Sequence, residues 1–293
     1  MDGLILLDKP AGWTSHDAVN KLRRLANQKK VGHLGTLDPM ATGVLPLLIG
    51  RATRLAQFFA AGEKVYHAVI RFGFATDTYD REGEPSTPEQ PVTLSRELIE
   101  PLLDDFRGTI LQTPPPISAK KIGGVPAYRL ARKQQPVELP PVEVTVHKLT
   151  LINVAGPDAE LCVHCSAGTY VRSIAHDLGR RLGPGAHLYS LRRTASSGFR
   201  IEDTRTMDQL TGLAAAGAFD EALIPAARLL PEFPSEVVDP ATAAQIRQGR
   251  DFRTSPFRQP HESRYVKAVD EAGALVSIGE ARLPHLYHPI VVL

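Results

Sequence analysis

The loop Gly32-His33-Leu34-Gly35-Thr36-Leu37-Asp38-Pro39 is the stretch whose residue types and spacing best suit chemistry. A proline pushes the residue before it out of the helical region into extended backbone. Asp38 is therefore held at a loop tip, while Gly35 and Gly43 permit sharp bends and close approach of a ligand. A carboxylate fixed among Leu37, Met40 and Leu45 can serve as a nucleophile, a base or an electrostatic stabiliser. Taken alone, the dipeptide is also an ordinary Asp-Pro turn. Arg172 is the second candidate, in the first turn of the helical run Val171, Ile174, Ala175, Leu178 and Leu182. The helix dipole disfavours a cation there by about 0.3–1 kcal/mol, a cost that a nearby carboxylate or phosphate would offset. Tyr66 lies on the apolar side of an alternating run, where by itself it reads as a core aromatic.

Other constellations lead nowhere. Cys162-Val163-His164-Cys165 is a lone CxxC without the second ligand pair that zinc requires, and its place in a strand-like run reads as burial of both cysteines. His285 and His288 form another lone pair, and no phosphate loop, dinucleotide fingerprint or zinc-protease motif is present. Thr14-Ser15-His16 lacks the glycines of a nucleophile elbow. No metal site is expected.

The elements that must position the candidates are partly legible. Ser15 suits a helix cap, and Ala18, Val19, Leu22, Leu25 and Ala26 then recur at helical spacing. Residues 64–73 alternate, with Tyr66, Ala68, Ile70 and Phe72 on one face of a strand. Leu98 to Phe106 reads as a helix made irregular by Pro101. Val142 to Val154 and Glu160 to Cys165 read as strands joined by the turn Ala155-Gly156-Pro157-Asp158. The helix begun at Val171 stops at Gly183-Pro184. Composition shifts near Leu230-Pro231-Glu232-Phe233-Pro234. Beyond it, a short helix from Ala241 to Gln248 and strands at Arg264 to Asp270, Ala274 to Ala281 and Ile290 to Leu293 suggest a small β-rich module.

Charge narrows the partners. The 293 residues carry a net charge of only +2, but it is unevenly spread. Arg107, Lys120, Lys121, Arg129, Arg132 and Lys133 lie between Phe106 and Val137 with no acid among them. Arg180, Arg181, Arg192, Arg193 and Arg200 form a second acid-free stretch, and residues 1–60 are also predominantly basic. Any one such run can be a solvated face; together they point to a polyanion. Aromatic residues are only 6% of the chain, which favours recognition of a folded nucleic acid over stacking along a single strand. The 43% hydrophobic content supports a sizeable core. Two cysteines make no disulfide framework, the N-terminus lacks a basic leader, and no apolar run is long enough to cross a bilayer. A soluble, cytoplasmic protein is expected.

Several segments, in order, resemble one family. They are LDKPAGWTSHDAV, KVGHLGTLDPMATGVLPLLIGRATR, KVYHAVIRFGFATDTYDREG, FRGTILQTPPPISAKK with AYRLAR, CSAGTYVRSIAHDLG and HLYSLRRTASSG. Together they resemble the bacterial tRNA pseudouridine synthases of the TruB family over about residues 3–230. The resemblance implies an α+β fold, a mixed and mostly antiparallel sheet flanked by helices. It implies a catalytic domain over 1–230, with a basic, RNA-clasping excursion at about 114–141, and a PUA-like RNA-binding domain over 231–293. It also implies conversion of uridine 55 in the T loop of tRNA to pseudouridine, without a cofactor. By resemblance Asp38 is the catalytic aspartate, Tyr66 stacks on the target base and takes part in proton removal, and Arg172 pairs with the aspartate. Tyr170 and Leu191 line the pocket, His33 helps hold the splayed loop, Lys9 with Pro10 supports the site, and Asp80 lies beside it. Arg54, which replaces a common lysine, is expected among the substrate-binding residues; Ile117 replaces a common aromatic and Gln134 a common glycine. RNA backbone contacts are expected from Lys120, Lys121, Arg129 and Arg132.

The isomerisation needs the base flipped from its stack, cut from C1′, rotated and rejoined through C5. A glycosidase normally employs two carboxylates; one aspartate and one arginine suit a reaction that keeps the base. A nucleophilic attack at C1′, stabilisation of an oxocarbenium ion and removal of a sugar proton all remain open as the first step. The expected protein is a monomer acting on the tRNA T arm, without membrane or guide RNA. The competing readings are a tRNA-folding chaperone without chemistry and a guide-RNA-dependent synthase subunit.

Overall fold

The computed structural model describes residues 1–118, 121–122, 125–126, 139–255 and 263–293. Of the proposed backbone-contact residues, Lys120, Arg129 and Arg132 lie outside the described residues, as does the side chain of Lys121.

Strands β1 (Gly3–Lys9), β2 (Val31–His33), β3 (Thr42–Ile49) and β4 (Lys64–Phe72) come first, with helix α1 (Ser15–Leu25) between β1 and β2. Helix α2 (Arg96–Leu103) precedes β5 (Gly108–Gln112), and the short strands β6 (Lys121–Ile122) and β7 (Val125–Pro126) pair with each other. A long hairpin, β8 (Val142–Ala155) and β9 (Asp158–Cys165), leads into helix α3 (Val171–Leu182) and strand β10 (Ala186–Ser196). β11 (Phe199–Arg200), helix α4 (Met207–Ala215) and β12 (Ile224–Pro225) follow. The main sheet has ten strands in the path β12-β1-β3-β10-β4-β9-β8-β5, with β11 on β10 and β2 on β3. All its ladders are antiparallel except β3 with β10, which run parallel at Arg192 opposite Thr42 and Arg193 opposite Gly43. Among the described residues, no helix is long and apolar enough to cross a membrane.

Burial explains the strand patterns. β4 and β9 alternate buried and half-buried positions, as strands with one covered face do. β1 and β3 do not alternate, because both of their faces are covered. Ile5, Leu7, Leu45, Leu47 and Ile49 enter the main core, while Leu4, Leu6 and Leu48 face the other way into a second core. That second core includes Val269, Leu275, Ile278 and Val291 from the C-terminal end of the chain. There, β13 (Ser235–Val237), β14 (Phe252–Arg253), β15 (Tyr265–Val269), β16 (Leu275–Leu283) and β17 (Leu286–Val292) form a separate five-stranded sheet. Helix α5 (Pro240–Arg247) packs on it.

Three local expectations are corrected. Thr14, not Ser15, caps α1, in a capping box with Asp17; Ser15 is buried and bonds elsewhere. The last strand starts at Leu286 rather than Ile290, because Leu286 pairs with Arg253 and Leu283 before the apolar run begins. Of the two free cysteines only Cys165 is buried, since Cys162 lies on the opposite, half-covered face of β9.

Candidate active site

The loop after β2 carries Asp38, and every element around it contributes a restraint. From β1, the fully buried Lys9 donates to the carbonyls of Pro10 at 2.8 Å, Trp13 at 2.6 Å and Pro39 at 3.3 Å. Burial lowers its pKa to about 8, against which the Asp38 charge acts. At the start of α1, Ser15 Oγ accepts from the Leu37 amide at 2.9 Å. From β10, the fully buried Arg193 donates to the carbonyls of Val44 at 2.7 Å, Thr36 at 3.4 Å and Gly35 at 3.1 Å. The Ala41 amide closes the turn on the Asp38 carbonyl at 3.1 Å. The loop is thus bonded on both sides of Asp38, which fixes the carboxylate before any substrate arrives.

Gly43 is needed for close approach. Its φ is +102°, and a Cβ there would lie 2.2 Å from the Arg193 carbonyl oxygen, across the parallel contact of β3 and β10.

Arg172 enters from the first turn of α3. Its Nε lies 2.9 Å from Asp38 Oδ2 and its Nη2 3.2 Å from Oδ1, a two-pronged contact. Nη1 bonds the Thr78 carbonyl at 3.1 Å and lies 3.5 Å from Asp80 Oδ2. The Arg172 and Asp80 side chains are each only 6% exposed, whereas Asp38 is 34% exposed and faces the cavity. Asp80 is held by the Thr78 hydroxyl at 2.7 Å and the Glu82 amide at 3.0 Å. One guanidinium therefore sits between two carboxylates, and that pair of acids offsets the awkward helix-start cation. Desolvation raises the Asp38 pKa above its ordinary 3.8; Arg172 opposes the rise and Asp80 adds to it.

A cavity of about 300 Å³ opens above Asp38. Tyr66, Leu191, Tyr170, Arg172 and Lys64 line it with the loop residues Gly35 to Asp38. Tyr66 comes from the covered face of β4 and is buried. Leu191 and Arg193 share that face on β10, opposite Ala68 and Tyr66. An irregularity between Leu188 and Ser190 lets both Leu188 and Leu191 face inward, which strict alternation would forbid. Tyr170, the residue before α3, exchanges two hydrogen bonds with the Gln112 side chain at 2.8 and 3.0 Å. Burial raises the pKa of both tyrosines.

The other sequence candidates fall outside this lining. His33 ends β2, with Nδ1 buried and without a hydrogen-bond partner among the described residues. Lys9 and Asp80 stand behind the loop and behind Arg172. Arg54 is exposed and donates to the Val292 carbonyl at 2.5 Å, so it ties the main sheet to the last strand rather than facing the cavity. Among the described residues no group of three or more His, Cys, Asp or Glu side chains is arranged to hold a metal ion.

Two family models cover the chain in succession. The TruB family pseudouridylate synthase N-terminal domain matches residues 23–171, and the tRNA pseudouridylate synthase B C-terminal domain matches residues 172–231. The chain belongs to the TruB family. A tRNA pseudouridine synthase B of Solibacter usitatus is 59% identical over the full length of both chains. One from Stutzerimonas stutzeri is 42% identical over 96% of this chain and 92% of its own. Among solved structures, a chain of an H/ACA RNP bound to a substrate RNA containing 2′-deoxyuridine superposes with a TM-score of 0.70. It is 25% identical and covers 99% of this TruB-family chain and 84% of its own. A chain of a Cbf5-Nop10-Gar1 complex gives 0.68 at 26% identity, over 97% and 79%.

The sequence reading missed the cavity role of Lys64 and the loop contacts of Arg193 and Ser15. Lys64 was within reach of period-2 logic, since it lies two residues before Tyr66 on one strand. Arg193 was not, because β10 carries irregularities that break its alternation.

Proposed function

We propose that this TruB-family protein isomerises uridine 55 in the T loop of tRNA to pseudouridine, unaided by guide RNA or cofactor. The observation that carries the reading is the two-pronged Asp38–Arg172 pair at the foot of a cavity walled by Tyr66, Tyr170 and Leu191. Full-length likeness to proteins named tRNA pseudouridine synthase B supports the choice of tRNA. A flipped uracil enters beside the Tyr66 ring, with its ribose C1′ toward Asp38. Ionised Asp38 takes part in breaking the bond from C1′ to N1, and Arg172 keeps it charged and aimed. Leu191 and the tyrosines keep water from the cleaved sugar, so that the base rotates and rejoins through C5 instead of being lost. The Tyr66 hydroxyl serves proton removal at C5.

The C-terminal sheet, which we assign to residues 231–293 as a PUA-like RNA-binding domain, and the basic excursion near residues 114–141 extend the hold on RNA. Lys120, Lys121, Arg129 and Arg132 contact phosphates, His33 supports the splayed loop, and Arg54 acts at the junction of the two sheets. The protein works as a cytoplasmic monomer.

Incubation with a T-arm stem-loop, followed by pseudouridine mapping, tests this reading. The parent forms pseudouridine at position 55, and Asp38→Asn binds the stem-loop but forms no more than a trace. Turnover by Asp38→Asn near the parent rate would reject the aspartate. An inactive parent that still promotes tRNA folding would favour a chaperone without chemistry.

A further inference from the structure

The cavity carries positive charge that the Asp38–Arg172 pair does not explain. Strand β4 alternates its faces, so Lys64 and Tyr66 project to the same side, about 7 Å apart along the strand. Both line the cavity, and among the described residues that line it Asp38 is the one carboxylate. Lys64 Nζ donates to the Gly62 carbonyl at 2.8 Å. Among the described residues, the charged or polar neighbours that act on it are Arg193 and the Cys165 thiol, not an acid. Arg193 donates to three backbone carbonyls, and its remaining close side-chain partner is the Tyr66 hydroxyl rather than an acid. Lys64 and Arg193 converge on Gly35, where a Cβ would stand 3.3 Å from Lys64 Cε and 3.5 Å from Arg193 Nη1. Among the described residues, one wall of the cavity is therefore cationic without a resident counter-charge.

The proposed reaction creates that counter-charge. When C1′–N1 breaks heterolytically, the electron pair stays on uracil, which leaves as an anion shared over N1, O2 and O4. Enzymes that cut glycosidic bonds usually protonate the leaving group with a second carboxylic acid. Here Asp38 is engaged with Arg172, and among the described residues no other lining residue is a carboxylic acid. We propose that Lys64 is a catalytic residue whose ammonium hydrogen-bonds a carbonyl oxygen of the detached uracil and holds it as an anion, with Arg193 adding positive potential from behind. The balance closes without a co-reactant. C5 supplies the electron pair for the new bond to C1′, the proton lost from C5 is matched by one gained at N1, and Lys64 keeps its own protons. The same ion pair tethers the free base while it rotates. Burial and Arg193 lower the Lys64 pKa from its ordinary 10.5, and an arriving anion reverses that effect.

This inference rests on the pseudouridine synthase reading, and the test separates the two. Stem-loop affinity and single-turnover rate are measured for the parent, Lys64→Met and Lys64→Arg, on uridine and on 5-fluorouridine at the target position. Fluorine stabilises the base anion and makes it a better leaving group. Lys64→Met is expected to lower the uridine rate about 100-fold, the size of losing one preorganised charge-stabilising donor, with affinity changed less than about threefold. Lys64→Arg recovers to within about tenfold of the parent. On 5-fluorouridine, measured as its disappearance, the Lys64→Met deficit shrinks at least about tenfold, because less charge stabilisation is needed. Equal deficits on the two bases, or a loss confined to affinity, would overturn the role and make Lys64 a support or a phosphate contact. A parent that forms no pseudouridine would overturn the functional reading, and this role with it.

Discussion

A single guanidinium between two carboxylates sets the chemistry of Asp38, and each neighbour can be weighed separately. Because Asp80 raises and Arg172 lowers the Asp38 pKa, replacing them should move the acidic limb of a single-turnover pH–rate profile in opposite directions. Asp80→Asn removes a like charge and shifts the limb to lower pH; Arg172→Ala removes the opposing cation and shifts it to higher pH. Shifts in the same direction would mean that the limb does not report Asp38. Arg172→Lys keeps the charge but loses the two-pronged geometry, so it should lose at least about tenfold in rate. Lys9 offers a stability readout. Its folded pKa of about 8 lies below the ordinary 10.5, so the unfolded chain holds the extra proton between those values and stability rises with pH across that window. Denaturant titrations should show the parent gaining about 2–3 kcal/mol over Lys9→Met between pH 7 and pH 10. A constant difference would place the Lys9 titration elsewhere.

Helix α3 presents Tyr170 and Arg172 to the cavity, so its seating on β10 decides where they stand. Gly179 is at the point of contact. A Cβ there would fall 2.0 Å from the Ala186 nitrogen, which is backbone and has no rotamer to escape through. In an isolated helix, Gly→Ala gains about 1 kcal/mol. Here the clash outweighs it, and Gly179→Ala should destabilise the protein by at least about 2 kcal/mol and lower turnover as Arg172 moves. An unchanged or raised midpoint in thermal unfolding would refute this packing. The α3 run was plain in sequence because its one covered face repeats at helical spacing. β10 was not read, since its irregularities break the two-residue period that marks a strand.

The two sheets share a core across the molecule. Leu48 and Leu55 meet Leu275, Ile278, Val291 and Leu293 in one cluster, and Arg54 bonds the Val292 carbonyl beside it. Ile278→Ala should cost about 2–5 kcal/mol and displace a single, shared unfolding transition; two separate calorimetric transitions would show that the sheets fold independently. RNA affinity should fall steeply with added salt, because neutralised phosphates release counterions. Neutralising Lys120, Lys121, Arg129 and Arg132 together should flatten that dependence, and an unchanged slope would take the excursion off the RNA.

Much of the site's chemistry was written in local sequence. An aspartate before a proline, glycines around it and an arginine at a helix start are short-range features, and each constrains backbone or charge within a few residues. The alternation of residues 64–73 likewise marked Tyr66 as facing inward. The strands β1 and β3 were hidden because continuous apolar runs do not distinguish a doubly covered strand from other buried segments. The buried cations were hidden for a different reason. Lys9 and Arg193 look like surface residues in a sequence, and only folding supplies the carbonyls of Pro39, Gly35, Thr36 and Val44 that make their burial tolerable. The resemblance named Asp38 as the partner of Arg172, but the two-pronged contact and the second carboxylate, Asp80, were matters of tertiary structure. Asp38 and Asp80 are far from it along the chain, and the crossing of the sheet between β3, β10 and β4 is what brings their loops to the start of α3.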